Sequence, residues 1–323
     1  MLKGLALTPP VIGRISIGKV VEKAGKRLPE KDDEFTITSQ VQNKDGWVNH
    51  PVDETLRKAA NTKLRQIPVR LLFDDPYLNL RANYSLFDHQ TGRPLCVGNG
   101  ETCRRSLAAG VQTLPCPSPE ACELARGGYC KPYGRLNVRI GDDDELGSFV
   151  FRTTGFNSIR TLSARLSYFH AVSGGLLSTL PLELRLRGKS TTQSHRAPIY
   201  YVDLTISSGM TMAAAIASAK AESELRRNAG FDQTALDEAA RQGFAAGAFE
   251  ESEEEGAGIV EEFFPDDFDS GPAGTCVGTA IKPGLADKLN EKAARMNGQG
   301  RAASIGAAGA TGEISRQVQH GRA

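Results

Sequence analysis

Five of the six cysteines crowd into one stretch of the chain: Cys96, Cys103, Cys116, Cys122 and Cys130. Thiolates are the donors that structural zinc and iron–sulfur clusters use. Without a secretory signal, such a cluster reads first as a metal site and only second as redox chemistry. The preferred set is Cys103, Cys116, Cys122 and Cys130, spaced C-x12-C-x5-C-x7-C, with Cys96 as the substitute if Cys103 points away. The spacing lacks the tight C-x2-C knuckle of most zinc sites, and no histidine lies inside it; His89 is the nearest. Zn2+ is the expected ion, with an iron–sulfur cluster and no metal at all left open. Four thiolates leave no coordination position for an activated water, so such a metal is structural rather than catalytic. Cys276, in a distant Gly-rich stretch, reads as a free thiol.

Catalysis would need a nucleophile or activated water, a base and an oxyanion stabiliser. His170 falls at the end of an expected helix. His195 sits in a polar loop beside Ser194, eight residues before Asp203. A His195–Asp203 pair is conceivable, but a lone histidine in a polar loop is ordinarily solvated. There is no nucleophile elbow, phosphate-binding glycine loop or zinc-hydrolase motif. Asp142, Asp143, Asp144 and Glu145 read as an acidic hairpin turn rather than a cation site. The chain therefore reads as no enzyme and has no catalytic residues to nominate; a metal-dependent hydrolase is the runner-up. A small-molecule ligand is not indicated.

A binding surface is the other candidate. Lys131, Tyr133, Arg135 and Arg139 follow the cysteines, and Arg152, Arg160 and Arg165 flank the next strand and helix. Arg187, Lys189 and Arg196 surround a later loop. On one face of a sheet, such residues contact phosphates without reading sequence, and tyrosines among them can stack on bases. A single-stranded nucleic-acid-binding protein is thus a further alternative.

These residues must be held by a scaffold. Val11–Val20 and Glu34–Val41 alternate as strands, with a polar turn region over 22–33 and a short helix at Val52–Lys63. Ile67–Phe73 and Leu78–Phe87 are strand-like runs broken by Asp74-Asp75-Pro76. Residues 96–135 are turn-rich, with too few apolar side chains to fold by burial alone, and read as a loop insertion stapled by metal onto a strand starting at Leu136. Ser148–Thr154 is a strand. Asn157 or Ser158 caps a helix whose Ile159, Leu162, Leu166 and Phe169 share one face. Leu182–Leu186 and Ile199–Ile206 follow as strands. This order predicts an α+β fold with a mixed or antiparallel sheet and a split-βαβ, ferredoxin-like unit. Two Ala-rich helices, a disordered acidic tail and a short helix near Ala286–Met296 complete it. The expected organisation is a core over 1–209 with the insertion at 96–135, a helical hairpin over 210–249, an acidic linker over 250–275 and a tail over 276–323.

The net charge of +1 conceals an asymmetry: residues 250–323 hold 13 Asp/Glu against 7 Lys/Arg, leaving 25 against 32 in residues 1–249. A basic body suits an anionic partner, and an acidic tail can compete for the same surface. The N-terminus has an early Pro-Pro and no long apolar run. It reads as neither signal peptide nor membrane span, so a cytoplasmic protein with no membrane partner is expected.

Three segments carry a resemblance: GRISIGK near the N-terminus, PCPSPEAC…GYCKPYGRL, and GSFVFRTTGFNSI. Through them, residues 10–210 resemble the recombination directionality factor-like family of phages and mobile genetic elements, whose members are also described as "hydrolase or metal-binding protein". The resemblance implies a zinc-binding accessory protein of DNA recombination. Directionality factors of this kind bind a serine integrase and switch it from integration to excision. The implied partners are a site-specific recombinase and/or DNA, and the implied metal ligands include Cys116, Cys122 and Cys130.

Overall fold

The computed structural model describes residues 10–23, 26–43, 46–60, 63–141, 147–190 and 198–246, together with Ile259 and Phe263. The chain divides into two units, Met1–Ser270 and Gly271–Ala323; the described residues all belong to the first. Cys276, the helix expected near Ala286–Met296, the acidic turn 142–145, and His195 and Arg196 lie outside them, as does the acidic tail apart from Ile259 and Phe263.

Alternation near the N-terminus gives a long hairpin, β1 (Val11–Lys23) and β2 (Lys26–Asn43), followed by β3 (Gly46–Asn49). The polar region expected as a turn is mostly strand. Its charged residues fall opposite one another in register, Lys19 with Glu30 and Glu22 with Arg27, and paired backbone needs no apolar side chains to satisfy its hydrogen bonds. The first helix, α1 (Pro51–Ala60), docks on β2 through buried Asp53, which accepts from the Ile37 amide at 2.8 Å. Arg57 reinforces this dock, reaching Asp53 (2.6 Å), Glu34 (2.5 Å) and the Phe35 carbonyl (2.6 Å).

Next comes β4 (Gln66–Leu71), a single-turn helix α2 (Pro76–Asn79) and β5 (Leu80–Phe87). β6 (Pro94–Gly98), β7 (Thr102–Leu107) and β8 (Gly110–Pro115) form an antiparallel arm. The one-turn helix α3 (Ser118–Ala121) leads through a 3-10 turn to β9 (Lys131–Arg139) and β10 (Ser148–Thr153). The long helix α4 (Phe156–Ser173), strands β11 (Leu182–Ser190) and β12 (Pro198–Ile206), and helices α5 (Met212–Asn228) and α6 (Gln233–Ala246) follow.

The strands build one mixed α+β sheet in the order β3-β2-β1-β10-β9-β5-β6-β7-β8, with β4, β11 and β12 branching from β9. Strand β9 is the spine. Its first two-thirds pair with β5 and its end with β4, along the same edge. Leu71 and Leu80 therefore lie on one strand line, facing Val138 and Leu136, and residues 72–79 loop out between them. Fully buried Asn79 closes that loop. Its Oδ1 accepts from the amides of Leu72 (3.2 Å) and Phe73 (3.1 Å), and its Nδ2 donates to the Phe73 carbonyl (2.7 Å).

The split-βαβ expectation is corrected. Strands β10 and β11 flank α4 in sequence, but β9 and β4 stand between them, each step is antiparallel, and the two consequently run in opposite directions. The parallel pairing is that of β1 with β10. A strand–helix–strand order gives no information on register, so the sequence could not separate the two topologies.

Helix α4 buries the expected Ile159, Leu162, Leu166 and Phe169, the last three in the main core. It ends at Gly174 in the left-handed conformation (φ 70°), the favoured terminator. Helix α5 is capped by Thr211, whose Oγ1 accepts from the Ala214 amide at 3.2 Å, and buries Ala215 and Ala219 in the same core. Helix α6 packs Ala240 separately, against Phe73 and Leu78.

Candidate functional site

The cysteine segment is not an irregular insertion. Two hairpins extend the sheet, because turn chemistry, not burial, fixes them; most of β8 is exposed. At the first turn, Asn99 Oδ1 accepts from the amides of Glu101 (2.9 Å) and Thr102 (2.8 Å), while Gly100 takes a φ of 98°. The Cys116 amide donates to the Glu101 carbonyl at 2.8 Å, folding the chain after β8 back onto this turn. Strand β9 begins at Lys131, not Leu136, directly after Cys130.

This geometry gathers the thiols. Gly98 stands opposite Cys103, and a Cβ built on it would lie 2.7 Å from Cys103 Cβ and 3.0 Å from Cys116 Sγ. Cys96 lies two residues earlier on the same strand face, with Arg105 as its register partner. Cys122 caps α3, its carbonyl accepting from the Ala125 amide at 3.1 Å. Burial pushes the Cys130 thiol up to about 12, with further increments from Cys96, Cys122, Cys116 and Cys103. Burial likewise raises Cys103 to about 11, followed by its hydrogen bond to Cys96. Cys130 therefore lies within electrostatic reach of the other four cysteines.

A cation would offset both the burial and the mutual repulsion that oppose ionisation here. In number and type the donors fit a thiolate site. They are not drawn into a closed shell: among the described residues, no three Cys, His, Asp or Glu side chains are grouped closely enough to hold an ion. Closing such a shell calls for side-chain movement at these backbone positions.

The basic residues separate into two groups. Arg135 on β9 is the register partner of both Arg81 on β5 and Arg152 on β10, and Arg139 is the partner of Arg70 on β4. Residues paired across strands share a face, so these five arginines share one. Gly134 and Leu136 point the other way, and a Cβ on Gly134 would meet Ile159 of α4 at 2.8 Å. Arg160 is exposed on α4, whereas Arg165 and Arg187 converge on buried Asp203 at 3.0 and 3.3 Å. Lys189 donates to Asn157 Oδ1 at 2.7 Å. The described members of the basic set are therefore divided rather than lining one face of the sheet. Asp203 is held by two guanidiniums and by the Leu204 amide (3.0 Å), in a structural role. His170 is half-buried at the end of α4, and Gly175 beside it donates its amide to the His170 carbonyl at 2.8 Å.

Tyr133 is not a half-exposed stacking residue. It is buried with Phe87, Ile259 and Phe263. Phe263 meets Phe87 edge-on at 4.9 Å, and Lys131 Nζ donates to the Phe263 carbonyl at 2.8 Å. In the sequence Ile259 and Phe263 are apolar interruptions of an acidic run, with nothing in residue type to mark where they dock. The four-residue spacing, one helical turn, was the available signal. Arg81 was missed, and Gly98 reads in the sequence only as part of a turn signal with Gly100.

A family model described as Gp3-like, recombination directionality factor-like, matches residues 12–207. The chain belongs to this family. The match runs from the start of β1 to the residue after β12, taking in the spine, the cysteine arm and the arginine face. Helices α5 and α6 and the acidic segment lie beyond it. No curated protein and no solved structure matches the chain. The directionality factor-like family points to an accessory role in phage recombination. No described helix is long and apolar enough to cross a membrane.

Proposed function

We propose that this directionality factor-like protein is a zinc-bearing accessory factor that acts by binding a recombinase, DNA or both. The observation that supports the reading is the placement of five thiols on one arm of the family-matched body. Cys103, Cys116, Cys122 and Cys130 are the proposed ligands, with Cys96 as the substitute. Bound Zn2+ would supply folding free energy to an arm that has little core of its own. The chain's own residues do the rest: the Asn99 turn and Gly98 bring β6 close to Cys103 and Cys116, and Cys130 directly precedes the spine strand.

The reading is tested by adding the purified protein to a serine integrase from the same mobile element and measuring excision and integration in parallel. Stimulated excision with suppressed integration supports it. Unaltered integrase behaviour, with no co-purification, contradicts it.

A further inference from the structure

We propose that the cleft along the first half of β5 takes in an extended, acidic peptide segment of the recombinase, which adds a strand to the sheet at Ala82. The inference deepens the proposed function and rests on it for the protein that carries the segment.

The first support is a strand edge left open. Strand β5 pairs with β9 over Leu80–Ser85 but with β6 only from Tyr84 onward. Two residues fix which backbone groups face outward. Tyr84 stands opposite Pro132, which has no N–H to exchange. The Leu80 amide turns away from β9 and donates to the Pro76 carbonyl. In an antiparallel pair bonded and non-bonded positions alternate, so Leu80, Ala82 and Tyr84 aim their remaining backbone groups away from β9. Strand β6 meets this edge at Tyr84. Among the described residues no strand meets it at Ala82, which is exposed. On β12, which pairs with β11 alone among the described strands, outward amides are guarded instead. The Val202 amide donates to Ser158 Oγ at 3.1 Å and the Leu204 amide to Asp203 Oδ1 at 3.0 Å.

The second support is the cleft itself. About 540 Å³ in volume, it is lined by Leu80, Arg81, Ala82 and Asn83 and so follows the open edge. Successive side chains of an added strand point to opposite faces, and the cleft has a wall for each. The residue opposite Ala82 would point to the α4 side, lined by Ile159 and Ser163. There Ile159 comes within 2.8 Å of a Cβ built on Gly134, the register partner of Ala82. That wall suits a small apolar side chain. The two neighbouring residues would point to the face that Arg81 shares with Arg135. Among the described residues the lining holds these two arginines and Arg241 but no carboxylate, so this wall suits Asp or Glu. Arg81 lies over the Phe244 ring at 4.4 Å and Arg241 is paired with Asp75 at 3.1 Å, so both cations are positioned before a peptide arrives. In strand addition the main-chain bonds supply affinity and the side-chain walls supply choice.

The experiment measures binding of the full-length protein to the serine integrase of the same mobile element, with hydrogen exchange read over residues 80–86 in the complex. Wild type should bind, more weakly as salt rises, and exchange over 80–86 should slow. Ala82→Pro removes the outward N–H and leaves the β9 ladder its bonds; it should weaken binding about tenfold or more. Ala82→Ser, which keeps the amide, should bind as wild type. Ser163→Trp, at an exposed position of α4, should fill the small wall and weaken binding as well.

Wild-type binding by a folded Ala82→Pro or by Ser163→Trp overturns the proposal, and Ser163→Trp alone decides if Ala82→Pro does not fold. A complex without protection over 80–86, or equal loss in Ala82→Ser, overturns it too. Loss of DNA binding in these variants with integrase binding intact overturns it by giving the cleft to nucleic acid. In each of these cases an integrase that wild type still switches leaves the parent reading standing. A wild-type protein that neither binds nor switches the integrase sinks the parent reading, and this one with it.

Discussion

Gly98 and Cys103 face each other across the β6–β7 pair so closely that the glycine leaves no room for a side chain: a Cβ there would lie 2.7 Å from Cys103 Cβ and 2.9 Å from the Thr102 carbonyl oxygen. Gly98→Ala should therefore push β6 and β7 apart beside Cys103 and Cys116. Overpacking of this kind costs about 1–3 kcal/mol. The variant should melt earlier than wild type and lose bound metal more readily to a chelator; wild-type retention of metal would show that the close approach does not shape the site.

The thiols differ in what holds them. Cys103 and Cys130 are the two driven upward by burial, whereas Cys96 stands opposite Arg105 on the neighbouring strand. Serine at Cys103, Cys116, Cys122 or Cys130 should abolish stoichiometric zinc, and Cys96→Ser should keep it. Loss of zinc in Cys96→Ser with retention in Cys103→Ser would exchange those two residues in the ligand set.

Asp237 joins α6 to the looped-out segment 72–79. Its Oδ2 accepts from the amides of Asp74 and Asp75 at 3.0 and 3.1 Å, and its Oδ1 from Gln233 at 2.7 Å. Asp237→Ala strands buried donors at a cost of about 1–3 kcal/mol. Hydrogen exchange should quicken in α6 and residues 72–79 while the β11–β12 pair stays protected. Uniform destabilisation would mean that α6 unfolds only with the whole body.

His50 precedes α1, and its Nδ1 accepts from the Val52 amide at 3.2 Å while its ring meets Phe149 edge-on at 5.0 Å. Burial lowers its pKa below the ordinary value of 6.5. The unfolded chain therefore takes up the proton first. The stability this residue contributes is complete above the unfolded pKa and is lost as pH falls through the folded one. His50→Asn retains a side-chain acceptor without titrating. Between pH 7.5 and 5.5, values that bracket the ordinary histidine range, the melting temperature of wild type should fall further than that of the variant. Parallel falls would remove His50 from the pH response.

The parts of the fold that were legible in sequence were those set by local periodicity. The buried stripe of α4, its Gly174 stop and the alternation in β1 and β12 all follow from spacing along a single element. The parts that were not legible depend on pairing between distant elements. Strands β6 to β8 are held by turn hydrogen bonds and expose their side chains, so no apolar pattern marks them. The looped-out 72–79 segment is defined by β9, more than fifty residues further along the chain. Arg135, Arg139 and Arg152 were visible one by one, but the face they share with Arg70 and Arg81 is a property of register, which a single sequence does not carry. The cysteines were legible as a cluster because donor chemistry is written in residue type.

The account stands on the metal. Elemental mass spectrometry of the full-length protein, purified without added metal or chelator, measures it directly. One zinc per chain, falling to a small fraction in Cys122→Ser, is the predicted result. A metal-free wild-type protein that melts no differently from Cys122→Ser would contradict it.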